Sequence, residues 1–311
     1  MTSPNQDKTR VKTVSLILGS GGARGLAHIG VIRWLEEHNY QINSISGSSM
    51  GALIGSVFAT GKLDEFEKWF TQLSSTDILS LTDIAWDRSG LIKGEKLLSQ
   101  LKNLIGNPDI EDLPIAFTAV ATDIENEKEV WLQKGPLLQA IRASIALPMI
   151  FTPLHQNGLT LIDGGVLNPV PIAPTFNQTN DLTIAVNLGG KPQTTEAQIL
   201  TTSSEDNEDS WLNNASELFD SLIARFRDND QKTAPFNWDM YDISNKAFDS
   251  MQSSIARQKL AAYPPDVVLE IPRNACGMLE FTKIKEMIDL GYQTAEDVLG
   301  SLEKTNEFKA N

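Results

Sequence analysis

The stretch that most constrains this chain is Ile42-Asn43-Ser44-Ile45-Ser46-Gly47-Ser48-Ser49-Met50-Gly51-Ala52-Leu53-Ile54-Gly55. It reads as a short strand, a sharp turn and a helix. Met50 to Ala59 is apolar or small on every side, so this helix is expected to be buried. The turn is Gly-x-Ser-x-Gly with Ser49 at its apex. Gly47 and Gly51 leave room where a side chain would crowd a tight turn. Two readings stay open on this segment alone. One is a nucleophile elbow, with the Ser49 hydroxyl held at the positive end of the following helix. The other is a glycine turn into a core helix, with an idle serine.

The rest of the chain predicts strands alternating with helices. Val11 to Leu18 reads as a first, buried strand, followed by the loop Gly19-Ser20-Gly21-Gly22-Ala23-Arg24-Gly25. The next helix places Val31, Trp34, Leu35 and His38 on one face. Helices are expected over Lys62 to Leu73, Glu95 to Ile105, Pro136 to Ala146 and Trp238 to Ala262, with a closing helix or helix pair over Leu279 to Leu302. Strands are expected over Ile115 to Thr122, Glu129 to Leu132, Leu159 to Ile162, Leu182 to Leu188 and Asp266 to Ile271. Ser74 to Lys93, with Trp86 and Arg88, reads as irregular, a surface connection with a cover over a site as the alternative. This alternation implies an α/β fold with a mainly parallel central sheet and helices on both faces.

Length and charge narrow the function classes. A chain of 311 residues that is 41% hydrophobic can bury a substantial core. Its formal net charge of -14 leaves no basic stripe to neutralise phosphates, which excludes nucleic acid as a partner. The single cysteine, Cys276, excludes a disulfide framework and reads as a packing residue. Met1 to Lys12 is a polar tail without the apolar core of a signal peptide, so the expected setting is the cytoplasm. Residues 13–311 are expected to form one domain. Its acidic surface insertion falls near residues 190–235 and includes Ser203 to Ser210.

The glycine loop at residues 19–25 has two readings of its own. A glycine-rich turn between a strand and a helix points backbone N–H groups at an anion. For a dinucleotide, an acidic residue should close the second strand about twenty residues on, to hold a ribose. Here that strand ends in Ser46-Gly47-Ser48-Ser49, so no acid is present. An oxyanion hole explains both loops at once, because a serine attacking an acyl carbon needs donors for the developing negative oxygen.

A serine nucleophile also needs a base. The three histidines are His28, His38 and His155. The first two are explained by packing around the first helix. His155 precedes the Asp163 strand, and no histidine follows Asp163. A serine–acid–histidine order therefore cannot be completed. Asp163, at a strand end before Gly164 and Gly165, is a candidate base. An ordinary Asp-Gly turn is the competing explanation. A carboxylate of intrinsic pKa about 4 can serve only if held against the hydroxyl in a desolvated cleft.

Together the three motifs resemble the patatin-like phospholipases, and in particular the bacterial branch similar to the neuropathy-target-esterase catalytic domain. The likeness rests on Gly21 to Gly30, Gly47 to Ala52, Arg142 to Pro148, Phe151-Thr152-Pro153 and Asp163 to Pro171. It implies a three-layer α/β fold and a Ser-Asp dyad of Ser49 and Asp163. It implies an oxyanion hole from Gly21 and Gly22, with Ala23 or Arg24 nearby and Gly25 completing the loop. Its substrates would be acyl esters of phospholipids or lysophospholipids, cleaved through an acyl-enzyme without a metal or cofactor. Peripheral contact with the inner membrane surface follows from such substrates. Ser20 stands where the family usually has glycine, which is tolerable unless that position needs positive φ. Arg24 would pin the loop, with phosphate recognition as the alternative. A rival reading is a patatin-fold adaptor with little turnover, bound through its acidic insertion. The sequence assigns no oligomeric state.

Overall fold

The computed structural model describes residues 11–81, 92–193 and 238–304. The polar tail up to Arg10, Trp86 and Arg88, and the acidic stretch Ser203 to Ser210 lie outside the described residues. The chain divides into two compact units, residues 1–192 with 249–311, and residues 193–248.

Eight strands form one sheet. They are β1 Lys12–Leu18, β2 Tyr40–Ser48, β3 Ala116–Asp123, β4 Lys128–Leu132, β5 Leu154–Gln156, β6 Leu159–Asp163, β7 Leu182–Gly190 and β8 Val267–Pro272. The order is β5-β6-β3-β2-β1-β7-β8, with β4 also paired to β3. The pairs β1–β2, β1–β7, β2–β3 and β7–β8 are parallel. The pairs β3–β4, β3–β6 and β5–β6 are antiparallel. The sheet is therefore parallel through its centre and antiparallel at one side. Asn157 (φ 51°) and Gly158 (φ 78°) form the two-residue turn that folds β5 back onto β6.

The helices are α1 Ala27–Glu37, α2 Met50–Ala59, α3 Leu63–Thr71, α4 Ser75–Ser80, α5 Glu95–Ile105, α6 Leu137–Ser144, α7 Trp238–Ala262 and α8 Ile284–Ala295. The last continues through a π turn, Glu296–Gly300. The segment Leu279 to Lys283, expected as the start of the closing helix, instead forms turns before α8.

Side-chain alternation along β1 shows how the layers are built. Val14, Leu16 and Leu18 join the main core with Ile29 and Ile32 of α1, Ile54 and Val57 of α2, and Met287 of α8. Ile17 points the other way, into a smaller cluster with Val170, Ile172, Ala185 and Ala256 of α7. Strands covered on both faces are the rule for parallel sheets. Among the described residues, no helix is long and apolar enough to cross a membrane.

Candidate active site

Strand β3 acts as a ruler that brings two distant residues together. Ser48, the last residue of β2, pairs with Val120. Asp163, the last residue of β6, pairs with Ala121. The two strands thus end against consecutive positions of β3, approaching from opposite directions. Ser49 and Asp163 are 114 positions apart, and this register sets them side by side.

Ser49 turns the chain from β2 into α2. Its φ of 56° and ψ of -124° lie outside the regions that L-residues favour, a strain of about 1–3 kcal/mol. The surroundings impose it. The Ser49 N–H donates to Ser144 Oγ at 3.0 Å, and Ser144 Oγ donates to the Val120 carbonyl at 2.6 Å. Leu53 N–H closes the first turn of α2 on the Ser49 carbonyl at 3.1 Å. Gly47 sits one position before the end of β2. At Gly51 a Cβ would overlap the Leu18 carbonyl, so only glycine lets α2 pack this tightly on β1. Ser49 is 8% exposed, buried yet reachable.

The Ser49 hydroxyl donates to Asp163 Oδ2 at 2.6 Å. The other carboxylate oxygen accepts from the Gly165 N–H at 2.7 Å. Asp163 is fully buried. Burial pushes its carboxyl up to about 7, and the bonds from Ser49 and Gly165 offset only part of that rise. A carboxyl poised near neutrality can both take and return a proton at working pH. Gly164 and Gly165 form the turn after Asp163. A Cβ at Gly165 would overlap the Ser20 hydroxyl, so this turn lies directly on the glycine loop.

The glycine loop is held at several points. Gly19 and Ser20 donate to the carbonyls of Val186 and Pro169 at 3.0 and 2.8 Å. Gly22 has a φ of 57° and starts a short 3-10 turn, Gly22–Leu26. The Ala23 N–H donates to the Met278 carbonyl at 2.8 Å and so is already committed. The N–H groups of Gly21 and Gly22 take no such backbone partner among the described residues. Gly25 packs against Met50, the residue after Ser49. Ser20 needs no positive φ, and its hydroxyl accepts from Gln252 Nε2 at 3.1 Å.

Arg24 pins the loop. Its Nε donates to the Gly21 carbonyl, Nη1 to the Arg273 carbonyl and Nη2 to Asp249, at 3.1, 2.6 and 2.7 Å. With 3% exposure and these bonds made, the guanidinium is not presented to a phosphate. His28 is fully buried, with Nε2 2.9 Å from the Gly19 carbonyl. Burial lowers its pKa to about 4, only partly opposed by that bond, so the ring is neutral and supports the loop. His38 stacks on Trp34. His155 lies in β5 and is exposed. Cys276 is buried in the main core, and burial pushes its thiol up to about 11.

Four supporting residues escaped the reading of motifs one by one: Ser144 behind the elbow, and Asp249, Gln252 and Lys259 on α7. Ser144 lies inside a stretch that carried the family resemblance, so a signal for it existed. The α7 residues had none, because their partners are more than 100 positions away.

The patatin-like phospholipase family profile matches residues 16–176. An NTE family protein of Mycobacterium tuberculosis is 38% identical over 96% of this chain and 94% of its own length. A patatin-like phospholipase domain-containing protein of Caenorhabditis elegans is 29% identical over 95% of this chain, covering 22% of that protein. Lysophospholipase NTE1 of Coccidioides immitis is 27% identical over 94% of this chain and 18% of its own length. VipD from Legionella pneumophila, known as a crystal structure, is 16% identical with a TM-score of 0.46, covering 94% of this chain and 67% of that one. With half of its length matched by the family profile and a 38% identical relative aligned nearly end to end, the chain belongs to the patatin-like phospholipase family of lipid-ester hydrolases.

Proposed function

We propose that this chain is a serine acyl hydrolase working through a Ser49–Asp163 dyad on fatty-acyl esters of phospholipids or lysophospholipids. The observation that carries the reading is the 2.6 Å bond from the Ser49 hydroxyl to a fully buried Asp163. Ser49 Oγ attacks the acyl carbon and Asp163 takes its proton. The N–H groups of Gly21 and Gly22 receive the developing oxyanion, and among the described residues no backbone carbonyl takes them. The tetrahedral intermediate collapses, the ester C–O bond breaks, and Asp163 returns the proton to the leaving alcohol. The acyl group is then an ester of Ser49. Water attacks it, Asp163 accepts the water's proton and passes it to Ser49 Oγ, and the fatty acid leaves.

The chemistry needs only the groups named. Substrate would come from a lipid surface on the cytoplasmic side or as single lysolipid molecules. We also read residues 13–311 as one hydrolase domain carrying an insertion near residues 190–235. The test is labelling with a fluorophosphonate probe. Wild type should label and Ser49→Ala should not. A wild type that resists the probe, or a labelled Ser49→Ala, overturns the proposal.

A further inference from the structure

One face of α7 touches both loops of the candidate site. Asp249 pairs with Arg24 at 2.7 Å, and Gln252 bonds Ser20 at 3.1 Å. Lys259 pairs with Glu129 of β4. Positions 249, 252 and 259 fall on one stripe of a helix. The first two reach the glycine loop. The third reaches the base turn, by an indirect route.

That route runs through Asn168. Glu129 Oε1 is held by Lys259, and Oε2 accepts from Asn168 Nδ2 at 2.8 Å and from Trp131 Nε1 at 3.2 Å. Asn168 is 1% exposed. Its backbone N–H donates to the Gly164 carbonyl at 2.8 Å and so closes the turn that carries Asp163. The next carbonyl, Pro169, accepts the Ser20 N–H at 2.8 Å. Asn168 and Pro169 therefore staple the base turn to the glycine loop, and Glu129 orients the staple.

We propose that Glu129, held by Lys259, is a positioning residue for the dyad, fixing Asn168 so that the Asp163 turn keeps its place against Ser49. The proposal rests on the reading of Asp163 as the base. The alternative role for the ion pair is to dock α7 and nothing more. The partner shared with Asn168 argues against that. Without Glu129, a buried amide inside the turn loses its acceptor, and the penalty falls where the base is held. The Glu129 carboxyl is ready for this role. Burial alone would raise it, but the bonds from Lys259, Asn168 and Trp131 together outweigh that and hold it below the usual carboxylate range.

The test uses the full chain, a fluorophosphonate probe and p-nitrophenyl butyrate. Glu129→Ala should lower the labelling rate and kcat about tenfold or more, as small misplacements of reacting groups do, with KM within about twofold. The pH midpoint of labelling should fall as water enters the loosened turn around Asp163. Glu129→Gln, whose amide oxygen can still accept from Asn168, should recover most of the rate. A Glu129→Ala protein that melts earlier but keeps the wild-type kcat and pH midpoint overturns the proposal. If Glu129→Ala does not fold, Lys259→Met decides: a several-fold slower labelling rate supports it and an unchanged rate overturns it. Asp163→Asn separates the two layers of the argument. Labelling at the wild-type rate in that variant removes the dyad reading, and this proposal with it. Labelling lost there, with Glu129→Ala unchanged, removes this proposal alone.

Discussion

The backbone N–H of Ser49 points at the hydroxyl of Ser144, 3.0 Å away, and that hydroxyl donates onward to Val120. One side chain at the end of α6 thus bolts the strained elbow to the strand that also positions Asp163.

Ser144→Ala leaves a buried N–H and a buried carbonyl without their partner. We expect a loss of about 1–3 kcal/mol in urea unfolding. We also expect a fluorophosphonate labelling rate at least about tenfold slower, because Ser49 can relax away from Asp163. Labelling at the wild-type rate would show that the elbow holds its shape unaided.

The pH dependence follows from Asp163. As the proposed base, Asp163 must be ionised, so the labelling rate should fall as pH drops through about 7. Stability runs the other way. The folded carboxyl has a raised pKa, so between about 4 and 7 the folded state holds a proton that the unfolded state has released, and stability declines as pH rises across that window. Asp163→Asn should therefore abolish labelling yet raise the melting temperature at pH 8, with a smaller gain at pH 5. An equal effect at both pH values would contradict the assigned shift.

Gly51→Ala tests the packing of the elbow on β1. The added Cβ would overlap the Leu18 carbonyl. Relief requires α2 to move, at a cost of about 1–3 kcal/mol, and Ser49 would move with it. Calorimetry and labelling should both register the change.

Arg24→Lys separates anchoring from phosphate recognition. An ammonium cannot reproduce the fork that joins Gly21, Arg273 and Asp249. Turnover should fall on every ester, charged or neutral, by a similar factor. A selective loss on phosphate-bearing substrates would assign Arg24 to the headgroup instead.

The sequence made the central architecture legible where pattern and chemistry agreed. The all-apolar helix after Gly-x-Ser-x-Gly runs over Met50–Ala59, as its composition implied, because a helix apolar on every side has no stable place but the interior. The sheet was read as mainly parallel, and its antiparallel side was not foreseen. Yet Asn157-Gly158 is a strong short-range hairpin signal, and it creates the strand that ends in Asp163. Motif reading placed Ala23 in the glycine loop beside Gly21 and Gly22, and its N–H is taken by the Met278 carbonyl. Contacts such as Lys259 with Glu129 depend on tertiary packing and leave no local trace.

The strand that ends in Asp163 has a consequence for heating. Strand β6 meets β3 over three residue pairs, Ala121–Asp163, Thr122–Ile162 and Asp123–Leu161, and its other neighbour is the three-residue β5. Ser49 belongs to the sheet's interior, Asp163 to a short marginal hairpin. Such edges open by local fluctuation well below the temperature at which the whole domain melts. Fraying of that hairpin would part Asp163 from Ser49 while leaving α2 and the central strands in place. The enzyme should accordingly grow inactive on warming, reversibly, before it unfolds.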